Sequence, residues 1–165
     1  MSSVFAALVA VICASSAAAA PQNVLGGPLA PCSHPGTAMT GFVRNGACQE
    51  EQDDQGSHHV CIRMKEDFCT VTGQDNWCAE EMPCMGDVGR KCPIGNWCVC
   101  QWAFARYVKM AGGCDAIDEV VCDSTNMAAL RAYRRSSGAE EQEALQCLER
   151  RCKGHSLLRQ VRTHV

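Results

Sequence analysis

The sequence predicts a small α+β domain: a short β-sheet with packed helices, rich in disulfides and followed by a helical C-terminal tail. Three observations support this. Residues 97 to 135 read as strand, helix, strand, helix in succession. About 145 residues follow an apolar N-terminal leader, which is one domain's worth. Fourteen Cys stand among 165 residues, all but Cys13 beyond the leader. In an exported chain that density reads as a disulfide framework.

The leader comes first. Val4 to Ala14 is an apolar run, followed by Ser15, Ser16 and Ala17 to Ala20. This is the pattern of a secretory signal peptide. Residues 1–20 are therefore expected to be cleaved between Ala17 and Ala20, and the protein to be secreted or held in an endomembrane lumen. The run is shorter than the roughly 20 apolar residues a bilayer span needs. No longer one follows, so no transmembrane segment is expected.

Residues 21–135 form the expected domain and 136–165 a helical, basic extension. Residues 21 to 41, rich in Pro and Gly, read as a series of turns. Gly41 to Gly46 reads as a short strand and turn, with Asn45-Gly46 a hairpin dipeptide. Gln49 to Ser57 is a polar surface loop, His58 to Met64 a strand, and Lys65 to Val71 one or two helical turns. Gln74 to Gly95 carries Cys78, Cys84 and Cys92 among Pro and Gly and needs cross-links to hold a shape. Trp97 to Gln101 is the clearest strand, and Trp102 to Met110 a helix stopped by Gly112-Gly113. Ile117 to Cys122 reads as another strand. Ser124 or Thr125 is placed to cap a helix over Met127 to Arg134. Ser137 with Glu140 makes a capping box for a last helix to about Arg151. Leu157, Leu158 and Val161 then share one helical face.

Aromatic residues are few, so Phe42, Phe68, Phe104, Trp77, Trp97, Trp102, Tyr107 and Tyr133 are expected to build the core. The net charge of −3 is unevenly spread. From Arg131 onward there are eight basic and four acidic residues, against seven and fourteen before it. Such a tail is suited to fold back on the acidic body or to meet an acidic surface. No nucleic-acid motif is present, and partners are otherwise unspecified.

Several short motifs in order resemble a known family. They are Asn23 to Leu29, Pro31-Cys32, Thr40-Gly41-Phe42 with Arg44, Asp54 with Gly56 to Cys61, Met64 to Phe68, Gly95 to Cys100, and Val120-Val121 with Thr125. Over about residues 23–133 the chain resembles the bacterial domain of unknown function 2237. The resemblance implies a fold unit but no activity, in a family largely intracellular in bacteria. This chain departs from the pattern at Asn126, where the family has His, and at Asn45 and Asn96, where it has Asp. The segment between Gly73 and Cys98 departs strongly.

The resemblance divides the cysteines. Cys32, Cys48, Cys61, Cys98 and Cys100 fall on family-like positions. Cys69, Cys78, Cys84, Cys92, Cys114, Cys122, Cys147 and Cys152 do not. Eight is even, as four added staples require, while five leaves one thiol over if two bridges form; the connectivity itself is open. Cys98-Val99-Cys100 on a strand would set two sulfurs on one face. They would chelate a soft metal with Cys61, Cys48 or His58, form a redox-active bond with each other, or bond separate partners. His58, oriented by Asp54, is the candidate base or ligand near Cys61, Cys98 or Cys100. The leading reading is a secreted, disulfide-stabilised domain with a binding or structural role. The alternative is a thiol-redox or metal-dependent enzyme using Cys98, Cys100, Cys61 and His58, with zinc or another soft metal as its cofactor.

Overall fold

The computed structural model describes residues 20–162, with side chains to Lys153. All of the leader before Ala20 lies outside the described residues, as do the side chains of Leu157, Leu158 and Val161. The architecture is mixed: two antiparallel two-stranded sheets and four helices. The order is β1 (Val60–Arg63), α1 (Asp67–Thr72), β2 (Glu81–Cys84), β3 (Asp87–Pro93), β4 (Asn96–Val99), α2 (Gln101–Met110), α3 (Met127–Arg135) and α4 (Ala139–Arg162). No helix among the described residues is long and apolar enough to cross a membrane.

β1 and β4 pair with Val60 opposite Val99, Cys61 opposite Cys98 and Ile62 opposite Trp97. Side chains alternate between the faces of a strand, and here both faces are buried. Val60, Ile62, Trp97 and Val99 join the main core with Phe68, Phe104, Tyr107, Val108, Leu130 and Tyr133. Cys61 and Cys98 join Cys32 and Cys48 in a separate cluster. The expected strand 117–122 shrinks to a single bridge, Val120 opposite Ile62, on the free edge of β1. It shrinks because Cys122–Ser124 turns as a 3₁₀ segment immediately afterwards.

Three further expectations are corrected, and one segment takes on a definite form. Gly41 to Gly46 is a turn without a strand; Gly41 sits at φ 90°, and a Cβ there would lie 2.5 Å from the Ala47 carbonyl oxygen. Residues 81–93, in the segment expected to need cross-links, form a hairpin, β2–β3, with a register shift between Pro83 and Cys84 and a Cys84–Cys92 bridge. The cap of α3 is Asn126, whose side chain accepts from the Ala128 N–H. Thr125 is not free to cap, because its hydroxyl serves the Cys61 and Val121 backbone, and Ser124 donates to the Pro31 carbonyl. Phe42 and Trp102 are not core residues; they remain 45% and 43% exposed.

α4 packs on α2 and α3 and gives Ala144, Cys147, Leu148 and Cys152 to the core. Its charges meet the body: Arg150 pairs with Asp115 and Glu149 with Arg134, at 2.8 Å each. Arg151 donates to the Ile117 carbonyl. These exposed pairs orient the helix more than they stabilise it; the apolar face and two disulfides hold it.

Candidate functional site

Six disulfides are present among the described residues. Cys32 joins Cys61, and Cys48 joins Cys98. The other four are Cys69–Cys78, Cys84–Cys92, Cys114–Cys147 and Cys122–Cys152. No bridge crosses between the two cysteine sets that the motifs distinguish, and the remaining described thiol is Cys100. Disulfides in this number are typical of an oxidising environment.

The expected juxtaposition of Cys98 and Cys100 fails. β4 stops at Val99, and Cys100 is the N-cap of α2, with φ −53° and ψ 128°. Cys98 therefore bonds inward to Cys48, and Cys100 turns onto the helix end. Cys61 stands directly opposite Cys98 in the ladder, yet each bonds an outer loop. While bridged, Cys61 and Cys98 offer neither a metal-binding thiolate nor a nucleophile. Cys100 makes no side-chain cap bond. Burial, the largest effect, pushes its thiol up, and the Asp54 charge adds to this; the Trp102 and Ala103 N–H groups oppose but do not reverse it. It is a neutral thiol rather than an activated one.

The Asp54-to-His58 motif is a loop lock. Asp54 accepts from the His58 N–H and pairs with its Nδ1, both at 2.7 Å. Gly56 has no side chain because a Cβ would lie 2.7 Å from the His58 ring. Burial would raise the Asp54 carboxyl, but the two His58 bonds and the His58 and His59 charges outweigh it and hold the pKa below its ordinary value. His58 then stacks on Phe42, with ring centres 6.0 Å apart. Among the described residues its partners are thus a carboxylate and a ring.

The neighbouring histidine, which sequence reasoning passed over, reaches the interior. His59 is buried and its Nδ1 meets Gln101 Oε1 at 3.0 Å. Gln101 is itself clamped: its N–H donates to the Ser57 carbonyl and its carbonyl accepts from the buried Tyr133 hydroxyl. The His59 carbonyl accepts from the Asn126 N–H at 2.8 Å. No local signal in the sequence singles out His59, which lies just before β1.

His59 and Gln101 sit at a cleft of about 460 Å³ between α2 and α3. Its other walls are Ala128 and Ala132 one helical turn apart, Arg131 and Arg135 one turn apart, Ser57, Ser136, Trp102 and Glu50. Glu50 reaches Arg131 at 2.8 Å across the mouth. Trp102 is fixed edge-on against Tyr133. A larger hollow of about 550 Å³, walled by Pro31, Pro35, Met85 and Val121, is mainly apolar.

Residues 22–137 match the family described as "Uncharacterized protein conserved in bacteria (DUF2237)". The chain belongs to this family. The DUF2237 match covers the turns before β1 through the end of α3, and so includes the sulfur cluster, the Asp54 lock and every residue of the cleft. It leaves out α4 and therefore one partner of each of two bridges. No curated protein matches the chain.

Proposed function

We propose that this DUF2237 protein is an exported, disulfide-stapled binding module, and that its ligand is a small organic anion with a flat apolar body, taken into the cleft between α2 and α3. One observation carries the reading: two arginines on successive turns of α3 flank an alanine floor, facing an indole and a buried His59–Gln101 pair. A guanidinium suits a carboxylate in a way few groups do. The Ala128 and Ala132 side chains leave room for a ring, and Trp102 supplies an apolar face. Glu50 acts as an internal stand-in, holding Arg131 until a ligand carboxylate displaces it. Export accords with the leader and with six bridges in so short a chain. The alternative, an enzyme built on Cys98, Cys100, Cys61 and His58, has less support. Two of those sulfurs are sealed in bridges, and the third thiol is held neutral.

Titration calorimetry with benzoate, and with benzyl alcohol as its neutral counterpart, tests the reading. Benzoate is expected to bind and benzyl alcohol not. The Arg131→Ala/Arg135→Ala pair should weaken benzoate at least tenfold, and Glu50→Gln should strengthen it. Equal binding of the two probes, or no loss in the double variant, overturns the proposal.

A further inference from the structure

The sulfur cluster behind β1 and β4 is the set of metal-ligating atoms that stands out among the described residues. The sulfurs of Cys32, Cys48 and Cys98 all lie within 4.8 Å of one another, and Cys61 is bonded to Cys32. The two bridges are neighbours in one dry pocket; all four cysteines are at most 1% exposed. A tetrahedral zinc–thiolate centre has Zn–S distances near 2.3 Å, which sets its sulfurs about 3.8 Å apart. The bonded sulfurs now stand 1.92 and 2.06 Å apart, so within each pair they would part by about 2 Å to reach that spacing.

The backbone at these four positions is fixed by bonds that do not involve the bridges. Cys98 N–H donates to the Thr40 hydroxyl at 2.8 Å, and Cys61 N–H to the Thr125 hydroxyl at 3.1 Å. Cys32 N–H donates to the Gly46 carbonyl at 2.7 Å. The Cys48 carbonyl accepts from the Asn126 amide at 3.0 Å. These are the bonds that would hold the four thiols near one another once the two bridges are opened.

We propose that this centre is a soft-metal site whenever its bridges are open, with Cys32, Cys48, Cys61 and Cys98 taking one Zn²⁺ as thiolates. Metal and disulfides are then mutually exclusive states of one set of atoms. Opening requires a reductant, and a phosphine is sufficient. Each phosphine gives two electrons to one bridge and takes up the oxygen of one water. Two phosphines and two waters thus yield four thiols and two phosphine oxides. Binding of the divalent ion then releases up to four protons as the thiols ionise. Cys100 and His58, which the sequence offered as ligands, are outside the set. The site does not depend on the anion cleft, and either proposal stands if the other fails.

The test is to reduce the full chain with a water-soluble phosphine in the presence of Co²⁺, a spectroscopic substitute for zinc. The expected result is one Co²⁺ per chain, with sulfur-to-cobalt charge transfer and tetrahedral visible bands, and none with the oxidised protein. Cys48→Ser and Cys98→Ser should each weaken uptake at least tenfold. Cys100→Ser and the Cys84→Ser/Cys92→Ser pair should leave it unchanged. Because the serine variants risk misfolding, alkylation mapping of the unmutated chain is the second readout. Bound Zn²⁺ should protect Cys32, Cys48, Cys61 and Cys98 while the partly exposed Cys100 and Cys114 label. Absence of stoichiometric uptake overturns the proposal. So does equal loss in the Cys84→Ser/Cys92→Ser pair, loss in Cys100→Ser, or uniform labelling.

Discussion

The bridges that tie distant segments to the β1–β4 sheet and those that close one short segment are the same chemical bond put to different uses. Cys32–Cys61 and Cys48–Cys98 close loops of 29 and 50 residues and lie wholly inside the protein. They fasten the turn-rich segment before β1 onto a sheet of two four-residue strands, which could not stand alone. Cys69–Cys78 and Cys84–Cys92 close loops of only 9 and 8 residues, each within one local segment. Cys114–Cys147 and Cys122–Cys152 do a third thing, fixing α4 to the body over spans of 33 and 30. A disulfide's worth thus depends on how much chain it confines, and the family-matched region keeps its longest closure at its centre.

The largest test of this contrast compares two double variants in denaturant unfolding. Cys48→Ala/Cys98→Ala should cost about 4 kcal/mol and Cys84→Ala/Cys92→Ala about 2.5 kcal/mol, from loop length alone. Equal losses would show that confinement is not what separates the long closures from the short ones. Next in size is Asn126→Ala, at about 2 kcal/mol, because it removes a helix cap and strips a buried partner from the Cys48 carbonyl. That loss should be read as a lower unfolding midpoint with all six bridges still formed.

A smaller effect concerns the Asp54 lock. Its carboxyl has a lower pKa folded than unfolded, so the unfolded chain binds the proton more readily. The stabilisation is complete above the ordinary carboxylate value near pH 4 and is lost as pH falls through the folded value. Stability of the native protein should therefore decline on acidification below about pH 4, and Asp54→Asn should flatten that decline. An unchanged acid limb in the variant would remove Asp54 as its cause. The smallest effect is expected for Arg131→Ala. Its pair with Glu50 is exposed, so stability should change by less than about 1 kcal/mol in thermal melts, even though benzoate binding falls.

Much of this was legible before any coordinates. The strand around Cys61 and the Gly-terminated helix after Trp102 follow from local pattern, and the split of the cysteines into an even and an odd set from the resemblance to the family. The cleft was not legible. His59 and His58 are chemically identical in the sequence, and only the Asp54 loop decides that one turns outward to Phe42 and the other inward to Gln101. The same limit applied to Cys100. Its place on a strand or a helix depended on a single residue of β4, and strand ends are set by what the next element packs against.

By itself the sequence determined composition-level matters: a mixed fold, a cysteine framework, and the short-range signals of strands, helices and turns. These depend on contacts between near neighbours, which the order of residues states directly. Tertiary structure alone decided which sulfur meets which, that β1 buries both faces, and that Arg131, Arg135, Trp102 and His59 line one cleft. Those facts join residues as far as 50 and 78 positions apart, and their proximity comes from how whole elements pack, which no local pattern encodes.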